Sequence, residues 1–235
     1  MEAVMTTPAS ARSLPYATLL AFTRYVDQTG PTKAAYVGGL RKQRESGGGF
    51  NPHSQLVKAL KADIQFRTGG LHLASIAQAV APRWRRLYIA LTTGSAQYLE
   101  TLGQPGEFSL TPTHDALGLL GNLPVRISAH FGLRYADGRK EAVRLHFDEQ
   151  PPTPDLITAT LHLMRRHMDQ ILPHAEPVLV DVRRGVPHRL GEVRGGAEEI
   201  DRWLNGEAAG FTAMWGLAPA TTGRPQTSVP ERKAA

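Results

Sequence analysis

The chain has 235 residues, of which 41% are hydrophobic and 20% are charged, the composition of a soluble globular protein. There are no cysteines, which excludes disulfides, thiolate catalysis and cysteine-ligated zinc. The formal net charge is +6, no apolar stretch reaches the roughly 20 residues of a membrane helix, and the N-terminus lacks a signal-like apolar core. We therefore expect a cytoplasmic protein without a membrane partner.

The first half of the sequence is predicted to be helical. Apolar residues at helical spacing predict helices over residues 14–26, 32–45, 51–66, 71–80 and 82–102. In the third of these, Asn51 is expected to cap the helix and Pro52 to occupy its first position. The glycines of residues 68–70 are expected to supply a left-handed cap at its other end.

Positive charge is concentrated in this half. Residues 1–104 carry 12 Lys and Arg against 5 Asp and Glu, whereas the remainder carries 15 against 16. Basic clusters attract polyanions through counterion release. The predicted nucleic-acid contacts are Arg41, Lys42, Arg44, Arg83, Arg85 and Arg86. A solvated helix surface without any partner is the alternative interpretation.

A β-hairpin is predicted after a connecting segment. Residues 103–124 are rich in Gly, Pro and Thr and are expected to form a connection, with a short helix over 112–120. Strict alternation of apolar and polar residues then predicts a strand over 125–135 and a second strand up to Phe147, with Asp137-Gly138 in the turn.

The register of this hairpin follows from parity. A two-residue loop would put the apolar faces of the two strands on opposite sides of the sheet, so we expect a loop of odd length, Asp137-Gly138-Arg139. The expected cross-strand pairs are Leu133 with Val143, Phe131 with Leu145, Ala129 with Phe147, His130 with His146, Gly132 with Arg144, and Ser128 with Asp148.

The rest of the chain predicts a crossover unit. A capped amphipathic helix over 153–172 and a Val-rich strand over 176–185 follow the hairpin, and a helical segment over 195–217 is expected to break near Asn205-Gly206. A helix between two strands of one sheet implies that those strands are parallel. Residues 218–235 have the composition of a disordered tail.

The predicted fold class is therefore α+β. A helical half, 14–102, is expected to pack on a small mixed sheet with strand-strand-helix-strand order in the other half, 123–217, so that residues 1–217 form a single compact domain.

The polar positions of the hairpin carry unusual residues. His130, Arg134, Arg144 and His146, with Asp181 from the next strand, form a candidate functional face. His130 and His146 with Asp148 could also make a site of two histidines and one carboxylate for a metal, although such histidine pairs occur as ordinary half-exposed neighbours. No phosphate-binding loop, dinucleotide fingerprint or HExxH motif is present, so no cofactor is expected and no catalytic residue is identified.

The order of helix, strands, crossover helix and strand resembles the core of the PD-(D/E)XK nucleases, which include the RecB-like nucleases. That resemblance implies magnesium bound by carboxylates and a lysine beside the attacking water. This sequence has Gly132-Leu133-Arg134 where Gly-x-Asp is expected, and Arg144-Leu145-His146 where Asp/Glu-x-Lys is expected. The resemblance covers about 90 residues and implies a degenerate core that does not cut.

Longer segments resemble a family of uncharacterised actinobacterial proteins. They are "FNPHSQLVKALKADI", "FGLRY", "VRLHF", "VLVDVRRG" and "NGEAAGFTAMWGL". This resemblance implies one compact cytosolic bacterial protein and brings no activity with it.

Three classes of function follow. The first is a non-catalytic binding protein with a degenerate nuclease-like core, which contacts nucleic acid or a protein partner through its basic helical surface. The second is a metal-dependent nuclease or hydrolase with a diverged His/Asp site. The third is a structural or assembly protein whose charge is incidental.

Overall fold

Helices alternate with two small β-sheets in the computed structural model of the chain, which describes residues 15–47 and 51–217. The helices are α1 (Leu19–Val26), α2 (Pro31–Glu45), α3 (Ser54–Phe66), α4 (Leu71–Ala79), α5 (Pro82–Thr101), α6 (Pro154–Arg166), α7 (Met168–Ile171) and α8 (Ala197–Leu217). The strands are β1 (Ala17–Thr18), β2 (Phe108–Thr111), β3 (Ala116–Leu120), β4 (Leu123–Ile127), β5 (Phe131–Tyr135), β6 (Lys140–His146), β7 (Glu176–Asp181) and β8 (Val186–His188). The predicted tail, 218–235, lies outside the described residues.

The larger sheet is mixed, which confirms the predicted α+β class. Its strand order is β2-β5-β6-β7-β8, with β6 and β7 parallel and the other neighbours antiparallel. Helix α6 connects the two parallel strands, as the strand-strand-helix-strand order predicts. None of the described helices combines the length and the apolarity that crossing a bilayer requires.

The predicted strand over 125–135 is wrong, because the chain changes sheets within it. Residues up to Ile127 belong to β4, which pairs with β3 and, in parallel, with β1 in a three-stranded sheet. Residues from Phe131 onward belong to β5 of the larger sheet. Alternation continues through both strands because each buries one face, so the pattern carries no sign of the break at residues 128–130.

The hairpin loop has three residues, but they are Ala136-Asp137-Gly138. The backbone amide of Tyr135 donates to the carbonyl of Arg139 at 2.9 Å, and the amide of Gly138 donates to the carbonyl of Tyr135 at 3.0 Å. Gly138 has a φ of 89°. A three-residue hairpin loop ends in a left-handed residue, so the glycine takes the last position of the loop rather than its middle.

The register is consequently shifted by two residues from the prediction. Phe131 lies opposite Val143, Gly132 opposite Ala142, and Leu133 opposite Glu141. An even shift keeps each residue on its own face, so the apolar side chains of β5 and β6 still lie on the same side of the sheet. The predicted pairs Leu133–Val143, Phe131–Leu145, Gly132–Arg144 and His130–His146 are wrong.

Residues 103–124 hold more structure than predicted. They contain β2, β3 and the start of β4, and no helix forms over 112–120. In β3 the buried residues alternate with Leu117 and Leu119, whose side chains are both 67% exposed, so leucines on the outer face concealed the period of two.

The helices differ from the prediction in four respects. Helix α3 begins at Ser54, and Asn51 bonds through its side chain to the amide of His53 at 3.0 Å instead of capping a helix that starts at Pro52. Its C-terminal cap is Arg67, at φ 58° and ψ 39°, not a glycine. Helix α8 runs unbroken from Ala197 to Leu217 through Asn205-Gly206. The predicted helix over 153–172 is divided at His167 into α6 and α7.

Both faces of the larger sheet are covered. Helices α3, α4 and α5 pack on the face that carries Phe131, Val143 and Val180. Helix α6 packs on the opposite face, where Leu161 contacts the cluster around Leu179. The predicted solvent-facing polar side of the hairpin is therefore largely an internal surface.

Helix α5 approaches the end of β7 unusually closely at Gly94. A Cβ atom on this residue would overlap the carbonyl oxygen of Val182 and would lie 2.6 Å from the carbonyl carbon of Arg183. Real Cβ atoms do not come this near to backbone, so only glycine allows this packing of α5 against the loop after β7.

Candidate functional site

The N-terminus of α5 presents three arginines to solvent. Arg83, Arg85 and Arg86 are exposed, and the first turn of the helix has no acidic residue. No described carboxylate lies within 4 Å of their guanidinium groups. A helix N-terminus carries positive partial charge, so a cation in its first turn, such as Arg83, is unfavourable by about 0.3–1 kcal/mol. We call these three residues the α5 arginine patch.

The other predicted basic cluster is used differently. Arg41 is buried, and it donates to the backbone carbonyl of Trp215 at 3.2 Å and to Glu45 at 3.0 Å. The guanidinium of Arg44 lies 4.3 Å from the ring centre of Tyr16 and 4.7 Å from that of Trp215. Both arginines hold α2 against α8, which leaves Lys42 as the exposed residue among the three predicted nucleic-acid contacts on α2.

A cleft of about 260 Å³ separates the starts of α3 and α5. Asn51 and Ser54 line one side, and Arg83 and Trp84 line the other. The hydroxyl of Tyr88 donates to the carbonyl of Pro52 at 2.6 Å and fixes the two helix ends relative to one another. An arginine beside a tryptophan offers a cation for a phosphate and a ring for a nucleotide base.

The candidate polar face of the hairpin does not assemble as one surface. Arg134 is exposed and pairs with Lys140, at the opposite end of β6 from His146. His146 and Asp181 are neighbours on the parallel ladder, and both are buried. The predicted face of five residues therefore separates into an exposed arginine, a buried pair, and the remaining His130 and Arg144.

His146 and Asp181 are each bound by groups in the turn that follows their own strand. The Nε2 atom of His146 lies 3.1 Å from the carbonyl oxygen of Gln150 and donates to it. Asp181 accepts from Arg184 at 2.8 Å and from the backbone amide of Arg183 at 3.2 Å. These contacts close the turns that follow β6 and β7, which is a structural role.

The three candidate metal ligands also have other partners. Nδ1 of His130 accepts from the backbone amide of Leu145 at 2.9 Å, and Asp148 accepts from Arg24, with its Oδ2 atom 2.9 Å from Nε. His146 is buried against Gln150. Within residues 15–47 and 51–217, no three His, Asp or Glu side chains converge as a metal site.

A second group of cations surrounds the carboxyl end of β6. Arg144 lies on β6, Arg183 follows β7, Arg24 comes from α1, and Lys61 from α3. Two histidines, His53 and His130, and one carboxylate, Asp148, complete the group. We call these seven residues the cationic cluster.

His130 is a neutral member of this cluster. Its Nδ1 atom accepts a hydrogen bond from the backbone amide of Leu145 on β6, so the ring extends the ladder beyond the start of β5. Burial lowers the pKa of His130 to about 3, and the charges of Arg144, His53 and Lys61 act in the same direction. The ring therefore stays uncharged at neutral pH.

Arg144 fixes the segment that crosses between the sheets. Its Nη1 atom donates to the carbonyl of Ser128 at 3.1 Å and to the hydroxyl of Ser128 at 3.2 Å. It makes no ion pair with a described carboxylate. Burial lowers the pKa of Arg144 to about 10, and the charge of Arg24 contributes further.

His53 connects the cationic cluster to the cleft. Its ring stacks on Phe147, with centres 4.3 Å apart, and His130 meets the same phenyl ring edge-on at 5.6 Å. The Nδ1 atom of His53 is buried and has no hydrogen-bond partner among the described residues. Burial lowers the pKa of His53, and Arg24 lowers it further.

Sequence reasoning found His130 and Arg144 but missed Arg24, His53, Lys61 and Arg183. Arg183 could have been found from the sequence, because it follows a strand that was predicted to be parallel. Residues that follow the carboxyl ends of parallel strands lie close together at the same end of the sheet. The other three come from α1 and α3, and no spacing in the sequence links these helices to the hairpin.

Known proteins supply no further guidance on this site. Comparisons with protein-family models, with curated proteins and with solved structures find no match to the chain.

Proposed function

We propose that the protein binds nucleic acid without cutting it, through the α5 arginine patch and the adjacent cleft. The exposed guanidinium groups of Arg83, Arg85 and Arg86 carry this proposal. They stand at the positive end of a helix without a carboxylate partner in the described chain, an arrangement that costs stability when the protein is alone. A phosphate backbone offsets that cost by supplying the missing negative charge.

The cleft supports a single strand over a duplex. It has a volume of about 260 Å³, and Arg83 and Trp84 both line it. Stacking of a base on an aromatic ring next to a phosphate-binding cation is how proteins hold single strands without reading their sequence. A duplex keeps its bases stacked on each other and leaves such a ring without a base.

A degenerate nuclease-like core is part of this proposal. The antiparallel run β2-β5-β6, followed by α6 and the parallel strand β7, supports it. At the positions where the resemblance implies magnesium-binding carboxylates and a lysine, the chain has Arg134, Arg144 and His146. Such groups bind an anion directly, so we propose that the core holds nucleic acid and lacks the cutting step.

The first prediction concerns salt-dependent binding. Fluorescence anisotropy with a labelled single-stranded oligonucleotide is expected to show binding at about 50 mM salt that weakens steeply by about 200 mM. Changing Arg83, Arg85 and Arg86 together to Ala is expected to lower affinity at least tenfold and to reduce the slope of log K against log salt by about 2, since each lost phosphate contact to a single strand lowers it by about 0.7.

A matched control distinguishes the loss of the α5 arginine patch from a general loss of positive charge. Arg134, Arg165 and Arg202 are exposed, lie on other elements and can be changed together to Ala with the same loss of three charges. This control is expected to bind almost as tightly as the wild type. Equal losses in both triple variants, or no binding by the wild type at low salt, would refute the proposal, and metal-stimulated cleavage of the oligonucleotide would favour a nuclease.

A further inference from the structure

Arg144 places a half-buried cation near the carboxyl end of β6, the central strand of the larger sheet, and part of its hydrogen-bonding capacity is unused. Its Nη1 atom donates to the two oxygens of Ser128, whereas Nε and Nη2 have no acceptor among the described residues. A guanidinium that is partly removed from water and has no carboxylate partner is unfavourable unless something anionic approaches it.

The groups around Arg144 also carry more positive than negative charge. Arg183 donates from Nε to the carbonyl of Phe147 at 3.2 Å and makes no ion pair with a described carboxylate. Arg24 is held by Asp148, the one carboxylate of the cationic cluster. The cluster therefore contains four permanent cations, Arg24, Lys61, Arg144 and Arg183, and one acid, Asp148. A further carboxylate, Asp115, also acts on Arg144. Beyond them, Asp115 and Arg126 lie 3.8 Å apart and offset each other.

The start of α3 adds hydrogen-bond donors to the same place. This helix of 13 residues has no side-chain cap, and its first residues follow His53, whose buried Nδ1 atom has no partner in the described chain. The rings of His53 and His130 both pack on Phe147, and this contact holds the start of α3 beside the end of β6. Uncapped helix amides and an unpaired imidazole favour an anion at this position.

We propose that the cationic cluster binds one phosphate group, carried by a nucleic-acid strand or by a small phosphorylated molecule. Guanidinium groups from β6 and from the loop after β7 supply planar pairs of donors, which match the oxygens of a phosphate. The cleft and the cluster adjoin along the chain, since Pro52 borders the cleft and the next residue, His53, belongs to the cluster. In its nucleic-acid form the inference rests on the proposed function, whereas in its small-molecule form it does not.

The test is a titration of the full-length protein followed by NMR of the histidine side chains. Inorganic phosphate is added in one arm and the single-stranded oligonucleotide in another, with sodium chloride at equal ionic strength as the reference. The ring resonances of His53 and His130 are expected to shift with phosphate or with the oligonucleotide and not with chloride. Shifts with inorganic phosphate identify a small phosphorylated ligand, and shifts with the oligonucleotide alone identify a strand.

Variants locate the site. Arg144→Ala is expected to raise the ligand concentration needed for half of the shift at least tenfold, because charge-assisted hydrogen bonds are lost. Arg183→Ala is expected to have the same effect and leaves the contact of Arg144 with Ser128 intact, so it serves if Arg144→Ala fails to fold. Arg134→Ala removes an arginine from the opposite end of the hairpin and is expected to bind like the wild type.

Each result decides the inference. Absence of shifts in both arms, shifts that chloride reproduces, or undiminished titration of a folded Arg183→Ala variant would overturn it. The triple variant of Arg83, Arg85 and Arg86 separates the two proposals, since it is expected to keep the shifts with inorganic phosphate while losing oligonucleotide affinity. If that variant binds the oligonucleotide like the wild type, the proposed function is refuted. The titration with inorganic phosphate then still tests whether the cationic cluster binds phosphate.

Discussion

Replacing Gly94 with alanine is expected to destabilise the protein by about 3 kcal/mol, although alanine is the better helix former. The added methyl group would overlap the carbonyl oxygen of Val182, and a backbone oxygen cannot rotate away as a side chain can. Helix α5 must then move off the loop after β7. Thermal unfolding is expected to begin roughly 6–12 °C lower, as this size of chain loses about 2–4 °C for each kcal/mol.

Gly206 provides the matched control, since it also lies within a helix and has no atom within 4 Å of an added Cβ. Its change to alanine is expected to raise the free energy of unfolding by about 0.5–1 kcal/mol, because a flexible residue is removed and nothing is displaced. Opposite signs for the two substitutions, measured by urea denaturation, are the expected result. A Gly94→Ala variant as stable as the wild type would show that α5 does not approach β7 this closely.

Replacing Asp63 with alanine is expected to cost about 3 kcal/mol. The carboxylate of this α3 residue is fully buried and accepts from the backbone amides of His72 and Leu73, at 2.9 and 3.0 Å, at the start of α4. Alanine would leave these amides without acceptors in a buried place, which adds the cost of unpaired donors to the loss of a helix cap. Urea denaturation at pH 7 measures the effect.

The same carboxylate predicts how stability depends on pH. Burial alone would raise the pKa of Asp63, but hydrogen bonds from Thr68, His72 and Leu73 outweigh it and hold the pKa below its ordinary value of 3.8. A group whose folded-state pKa is depressed stabilises the fold fully above its unfolded value and loses that contribution as the pH falls through the folded pKa. Stability should therefore fall below about pH 4.

Asp63→Asn isolates this contribution, because it nearly preserves the shape of the side chain and cannot titrate. Its free energy of unfolding is expected to vary less with pH below about pH 4 than that of the wild type. Asp169→Asn, at an exposed position, is the matched control and is expected to follow the wild-type curve. Parallel curves for Asp63→Asn and the wild type would contradict the predicted role of this carboxylate.

Local periodicity predicted the elements that bury one face, and it failed where two elements share a pattern. The alternation of residues 125–135 is real, yet β4 and β5 belong to different sheets, and only long-range pairing with β1, β3 and β6 distinguishes them. The strands between 108 and 120 were missed for a related reason. Leu117 and Leu119 face outward, so apolar residues stand on both faces of β3.

The hairpin shows what parity can and cannot determine. An odd loop follows from the requirement that apolar residues share a face, and the structure has a loop of three residues. Parity leaves open which three residues form the loop, and the left-handed conformation of Gly138 decides it. Any site inferred from cross-strand pairs, such as His130 with His146, depends on which three residues form the loop. It is wrong when the loop is placed wrongly.

The cationic cluster was predictable only for its residues in and beside the hairpin. His130 and Arg144 stand out because imidazole and guanidinium groups interrupt an otherwise ordinary polar face. Arg24 and His53 join them through packing of α1 and α3, separated from the hairpin by more than seventy residues. The α5 arginine patch was visible in sequence as charge, but only burial separates it from Arg41, which binds Trp215.

The pairing of β1 with β4 has a consequence for how the chain folds during synthesis. Ala17 forms its ladder contact with Val125, and Phe22 and Tyr25 of α1 meet the ring of Phe211 with centres 6.5 and 5.2 Å apart. The ribosome makes α1 long before either partner exists, so its aromatic side chains lack their final neighbours until nearly the whole chain has emerged. Such distant contacts slow folding and extend the time in which apolar surface is open to aggregation.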